Sequence, residues 1–207
     1  MSNAMSQHQR VAVVTGGSGG IGRAVAGRLA ADGMSVVVNF AGNAQRADEI
    51  VYEISAAGGT TTAIGGDVAD EHAMGGLFDE VERLFGGVDV VVHAAGRMDL
   101  APLVDFDLET LDEMLRINVP GTFVVDQQAA RRIRAGGSIL NFSSSVLGRI
   151  LPTYTGYAAS KGAVEAMTFI LAGTASKHSS PPTSAPSTTK STSPTNESTP
   201  SSDSRRG

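Results

Sequence analysis

Between Arg10 and about Ala172 the chain alternates short apolar, β-branched runs with longer stretches whose apolar residues recur at helical spacing. Val11-Ala12-Val13-Val14-Thr15, Ser35-Val36-Val37-Val38-Asn39, Thr60-Thr61-Thr62-Ala63-Ile64, Val88-Asp89-Val90-Val91-Val92 and Ser138-Ile139-Leu140-Asn141-Phe142 predict five strands. They are apolar enough to be covered by helices on both faces. Helices are predicted over 21–31, 43–57, 70–85, 107–134 and 155–171. In the first, Ile21, Val25 and Leu29 share one face. Gly33, Gly58, Gly86 and Gly136 stand just past the first four predicted helices, where a left-handed residue lets the chain turn back toward the next strand. This alternation predicts an α/β fold of repeated βα units around a parallel sheet.

The pattern stops near residue 172. From Gly173 to Gly207 the chain is mostly Ser, Thr and Pro with no large apolar side chain. Such a segment cannot offset its own chain entropy and is expected to be disordered. Its onset cuts the helix-forming run Val164-Glu165-Ala166-Met167-Thr168-Phe169-Ile170-Leu171-Ala172 with no apolar closure. That favours an out-of-frame reading of a GC-rich gene over a native tail. Residues 1–9, with Met1-Ser2-Asn3-Ala4-Met5 read as a cloning remnant, are expected to be disordered too, which leaves 10–172 as the folded domain.

Composition narrows the partners. A chain of 207 residues, 41% hydrophobic and 18% charged, suits one α/β domain. Its net charge of −5 provides no positive field for nucleic acid or an acidic membrane. No apolar run approaches the roughly 20 residues that span a bilayer. The absence of cysteine excludes disulfides and thiolate metal sites and, without a secretion signal, points to the cytoplasm. The expected partner is a small molecule.

The first predicted strand feeds Thr15-Gly16-Gly17-Ser18-Gly19-Gly20-Ile21-Gly22, and a helix follows at once. Glycines there permit a tight turn and bring backbone N–H groups against a pyrophosphate, while the helix aims its positive end at the same anion. Gly16, Ser18, Gly20, Ile21 and Gly22 are therefore candidate dinucleotide-binding residues. The acid that would hold a ribose 2′-hydroxyl in an NAD site is replaced by Asn39, which favours NADP(H) over NAD(H). Neither Gly19 nor Phe40-Ala41 supplies a cation for a 2′-phosphate. Asp67, after the third strand, can accept a hydrogen bond from an adenine amino group or cap the helix that follows.

Tyr157 and Lys161 stand four apart in a helical stretch, so they share a face. A phenol alone is a poor acid or base at neutral pH, whereas an adjacent ammonium favours its anion and equips it to exchange a proton with a carbonyl or alcohol oxygen.

Thr15-Gly16-xxx-Gly20-x-Gly22, Asp67-Val68, Ala95-Gly96, Asn118, Ser143-Ser144-Ser145 and Tyr157-Ala158-Ala159-Ser160-Lys161 occur in the order and spacing of the short-chain dehydrogenases/reductases. The chain resembles that family from about Arg10 to Ala172, and within it the 3-oxoacyl-carrier-protein reductase and glucose dehydrogenase branch. The resemblance implies a doubly wound, Rossmann-like parallel sheet, an oxidoreductase that moves hydride between nicotinamide and a carbonyl or secondary alcohol, and usually a homodimer or homotetramer. It casts Tyr157 as general acid/base, Lys161 as its activator and ribose ligand, and Asn118 as holder of a relay water. Val68, Ala95 and Gly96 join the cofactor-binding set. For the serine that holds the substrate oxygen, Ser144 stands at the commoner spacing but Ser145, in Ser145-Val146-Leu147-Gly148, is preferred. The chain departs from the family at His93-Ala94, where paired asparagines are common, and His93 reads as a structural strand-end residue. It also lacks the family's last strands and substrate loop after Leu171. That absence keeps a second reading open, a non-catalytic dinucleotide-binding or interaction protein.

Overall fold

The structure is a computed structural model that describes residues 9–178, with side-chain surroundings as far as Gly173. Residues 1–8 and 179–207 of the two expected terminal segments lie outside the described residues. Five parallel strands, β1 (Val11–Thr15), β2 (Ser35–Phe40), β3 (Thr61–Gly65), β4 (Val88–His93) and β5 (Ile133–Asn141), form one sheet in the order β3-β2-β1-β4-β5. The helices are α1 (Gly20–Ala31), α2 (Ala44–Ala56), α3 (Glu71–Phe85), α4 (Leu108–Asn118), α5 (Pro120–Arg132) and α6 (Thr155–His178).

Because successive strand residues point to opposite faces, each central strand feeds two cores. Val11, Val13, Val37 and Val91 pack with Leu77, Phe78 and Val81 of α3 and Val125 and Ala129 of α5. Ala12, Val14, Val36 and Val38 meet Ala26 and Ala30 of α1 and Ala47, Ile50 and Ile54 of α2. The apolar runs therefore report a sheet covered on both sides, as the doubly wound expectation required. No helix among the described residues is long and apolar enough to cross a membrane.

Helix starts follow local chemistry. Asp70 accepts hydrogen bonds from the backbone of His72 and Ala73 at 2.9 and 3.0 Å, and Asp107 caps α4 through Thr110 at 2.7 Å. Three of the four glycine exits hold, with Gly33, Gly58 and Gly86 at positive φ. The fourth does not. The helix expected to run to residue 134 stops at Arg132, and Gly136-Gly137 lies inside β5, where the register with β4 shifts between Val88 and Val90.

The same predicted helix is also broken in the middle. Val119 has φ −107° and ψ −68°, and Pro120 begins α5. Proline has no N–H to give the carbonyl four residues back, and its ring crowds the preceding turn. Asn118 thus ends α4 rather than sitting mid-helix. At the other end α6 continues past the expected stop at 171 to His178.

Candidate functional site

The chain runs outward from β1 to β2 and β3, then returns to β4 on the other side of β1. Loops leaving β1 and β4 therefore diverge, which opens a crevice at their carboxyl ends. Its floor is tight. Gly16 has φ +62°, and a Cβ there would lie 2.7 Å from the Ala95 nitrogen. A side chain on Gly22 would strike the Gly16 carbonyl. By contrast a Cβ on Gly19 or Gly20 would meet nothing within 4 Å, so the start of α1 faces open space. Gly19 caps α1 with no side-chain hydrogen bond, which leaves the first N–H groups of the helix for an anion. Ser18 is half-buried, and Ile21 stands 61% exposed beside this opening. These residues fit a dinucleotide pyrophosphate.

Asn39 is buried, and its side-chain amide donates to the carbonyls of Ile64 and Gly66 at 3.2 and 3.0 Å while its backbone carbonyl accepts from Gly17 N–H at 3.0 Å. Its side chain thus ties β2 to the end of β3, while its backbone holds the glycine loop. Asp67 accepts from the Ala69 backbone at 2.9 Å and pairs with Arg116 at 2.9 Å. Burial pushes its pKa up, but Arg116 and the Ala69 N–H together bring it below the usual carboxylate value. Val68 is buried, with Gly121 of α5 packed so closely that a Cβ there would stand 2.8 Å from the valine side chain.

At the end of β4, Thr15 Oγ1 and His93 Nδ1 are 2.8 Å apart, and the Ala95 N–H donates to the same threonine at 3.3 Å. His93 is held near pKa 4 by burial and by the charge of Lys161, so it stays neutral. The structural role expected of it fits this placement.

Asn118 is buried, and its side chain closes on the Arg97 backbone from both directions at 2.8 Å, with a further bond to Ser160 Oγ at 3.0 Å. Ser160 in turn donates to the Tyr157 carbonyl at 2.7 Å. Lys161 Nζ donates to the Phe142 carbonyl at 2.8 Å and lies 5.8 Å from the centre of the Tyr157 ring. Burial lowers the Lys161 pKa from its ordinary value. A Cβ on Gly96 would be 3.3 Å from Asn118 Oδ1 and 3.9 Å from Lys161 Nζ. Tyr157, Lys161, Asn118 and Gly96 thus converge at one mouth. The phenol of Tyr157 has no hydrogen-bond partner among the described residues, and neither has the Ser145 hydroxyl. Ser144 instead accepts from Val146 N at 3.3 Å.

Sequence reasoning missed Ser160, which sits inside the Tyr-Lys motif and could have been singled out as a hydroxyl on the buried face. It also missed Arg116, whose partner lies in a distant loop and leaves no local signal. A hollow of about 620 Å³ runs along α4 and is lined by Glu109, Asp112, Glu113 and Arg116 among others. Its carboxylates suit it poorly to a phosphate.

A family model described as short chain dehydrogenase matches residues 10–190, a span that continues past the change of composition at 173. An uncharacterized oxidoreductase of Methylorubrum extorquens is 39% identical over 163 residues, 79% of this chain and 66% of that protein. A hydroxynaphthalene reductase of Aspergillus fumigatus is 37% identical over 163 residues, 79% of this chain and 60% of that one. The chain thus spans less than two thirds of these curated relatives. A short chain dehydrogenase from Burkholderia cenocepacia, solved in complex with NADP, superposes with TM-score 0.77 at 40% identity, covering 83% of this chain and 70% of that one.

Proposed function

Since this chain belongs to the short-chain dehydrogenase family, we propose that it is an NAD(P)-dependent oxidoreductase acting on a carbonyl or secondary alcohol, with Tyr157 as the proton-handling group. The observation that carries the reading is the convergence of Tyr157, Lys161 and Asn118 beside Gly96, at the crevice that the glycine loop opens. Gly16, Ser18, Gly20, Ile21 and Gly22 would hold the pyrophosphate. Asn39, Asp67, Val68, Ala95 and Gly96 would line the adenosine and nicotinamide ends. When bound, the nicotinamide supplies or accepts the hydride.

The protein's own part is orientation and the proton. In carbonyl reduction Tyr157 Oη gives its proton to the substrate oxygen as negative charge develops there. Lys161, fixed by the Phe142 carbonyl, places a cation next to the phenol and favours the anion that remains. Ser145 donates to the same substrate oxygen. Asn118, clamped by Arg97 and Ser160, keeps the floor beneath Lys161 rigid.

NADP(H) is the preferred cofactor in this reading, supported by the missing acid at Asn39 and by the NADP complex of the Burkholderia relative. The motifs favour the 3-oxoacyl-carrier-protein reductase and glucose dehydrogenase branch. The hydroxynaphthalene reductase of Aspergillus fumigatus adds a polycyclic phenol to the substrate panel. We place the protein in the cytoplasm, on its lack of cysteine, and expect a homodimer or homotetramer.

The test is NADPH oxidation by the 207-residue chain with 3-oxoacyl thioesters and hydroxylated naphthalene ketones, beside NADPH binding without substrate. Tyr157→Phe is expected to lower kcat at least about a hundredfold while NADPH binding changes by less than about threefold. Turnover within about threefold of the parent would remove Tyr157 from the reaction. NADPH binding by the parent with no turnover on any substrate would favour a dinucleotide-binding protein.

A further inference from the structure

Arg116 stands on α4, two residues before Asn118, and its guanidinium joins two segments. It grips Glu113 through Nε and a terminal nitrogen at 2.8 and 3.0 Å, and that terminal nitrogen also reaches Asp67 Oδ2 at 2.9 Å. Asp67 is further tied through Oδ1 to the Ala69 N–H at 2.9 Å. The residue after it, Val68, is wedged against Gly121 at the start of α5. Hence the Asp67-Val68 segment is pinned from two sides to the α4–α5 pair, and its carboxylate has each oxygen oriented by one donor. Each of those oxygens keeps a lone pair, and the Asp67 side chain is 41% exposed, so the carboxylate can still accept.

We propose that Arg116 is a positioning residue for the adenine end of the cofactor, acting by holding the Asp67 carboxylate in the orientation that receives the adenine amino group. This rests on the reading of Asp67 as the adenine acceptor, and goes beyond it by naming what aims that acceptor. A carboxylate on a loop swings freely about two side-chain torsions; because the Arg116 fork is itself anchored through two nitrogens on Glu113, the nitrogen it extends to Asp67 stands in one place, which a single ammonium would not ensure. The pair is exposed, so it adds little to global stability and its removal spares the fold. The consequence falls on recognition.

The probe pair is NADPH and its hypoxanthine analogue, which carries a carbonyl in place of the adenine amino group. Their dissociation constants are measured by fluorescence titration on the full chain, with thermal melts alongside. The parent is expected to bind NADPH about tenfold more tightly than the analogue, the scale of one hydrogen bond to a charged acceptor. Asp67→Asn abolishes that ratio. Arg116→Met brings it to within about twofold, and Arg116→Lys leaves it intermediate. If the parent binds both equally, the Asp67 reading fails and this inference falls with it. If Asp67→Asn abolishes the ratio but Arg116→Met and Arg116→Lys both keep it, Asp67 stands and Arg116 is overturned. Should Arg116→Met fail to fold, Arg116→Lys decides the matter: a ratio equal to the parent's refutes the proposal.

Discussion

Asp126 offers a sharp test of the physical account of this fold. It sits on α5, 7% exposed, and accepts one hydrogen bond from Asn141 Nδ2 at 2.9 Å. Its other oxygen has no partner, and neither has Asn141 Oδ1 beside it. Among the described residues no cation pairs with it. Burial therefore pushes its pKa from 3.8 to about 6, against the smaller opposing effect of Asn141. The folded protein holds this proton more tightly than the unfolded chain does. The group's contribution to stability is thus fully present below about pH 4 and is lost as pH rises to about 6. Roughly two pH units at about 1.4 kcal/mol each amounts to about 3 kcal/mol lost at neutral pH. Asp126→Asn removes the charge at the same shape. Its amide oxygen keeps the bond from Asn141 and its nitrogen can donate to the Asn141 oxygen that lacks a partner. Urea denaturation at pH 7.5 should show the variant more stable by about 2 to 3 kcal/mol, with the gap closing to under about 1 kcal/mol near pH 4. A variant less stable than the parent at pH 7.5, or a gap that does not change with pH, would refute the reasoning.

Three other substitutions and titrations bear on the site. Gly16→Ala places a Cβ 2.7 Å from the Ala95 nitrogen at φ +62°, so a lower melting temperature and at least about tenfold weaker NADPH binding are expected; an unchanged melt would mean the turn is looser than described. Ser145→Ala should slow turnover about tenfold or more while Ser144→Ala stays within about threefold, because the Val146 N–H holds the Ser144 oxygen within its own turn whereas the Ser145 hydroxyl is unengaged among the described residues; the reverse order would move the substrate contact to Ser144. Calorimetry should find NADPH bound more tightly than NADH, and NADH bound about tenfold more tightly would overturn the preference read at Asn39.

Much of this protein is written in short-range pattern. β-branched runs set the strands, periodic apolar residues set the helices, and positive-φ glycines end three of them, because each of these signals needs only neighbours within a turn or a pleat. The glycine loop and the four-residue spacing of Tyr157 and Lys161 were legible for the same reason. Tertiary structure decided the rest. Pro120 is visible in the sequence, but whether it kinks or divides a helix depends on what the two halves pack against, and here it divides them at Val119. Gly136 and Gly137 looked like a helix exit, yet pairing with β4 drew the chain into strand from Ile133 and turned them into a register break. Asn118 meets Ser160, 42 residues on, and Thr15 meets His93 across 78. The orphaned oxygens of Asp126 and Asn141, and the clamp of Arg116 on Asp67, likewise join segments that only the sheet order brings together. Hydrogen bonds and ion pairs between distant segments follow from three-dimensional proximity, and no local periodicity encodes which polar group will find which.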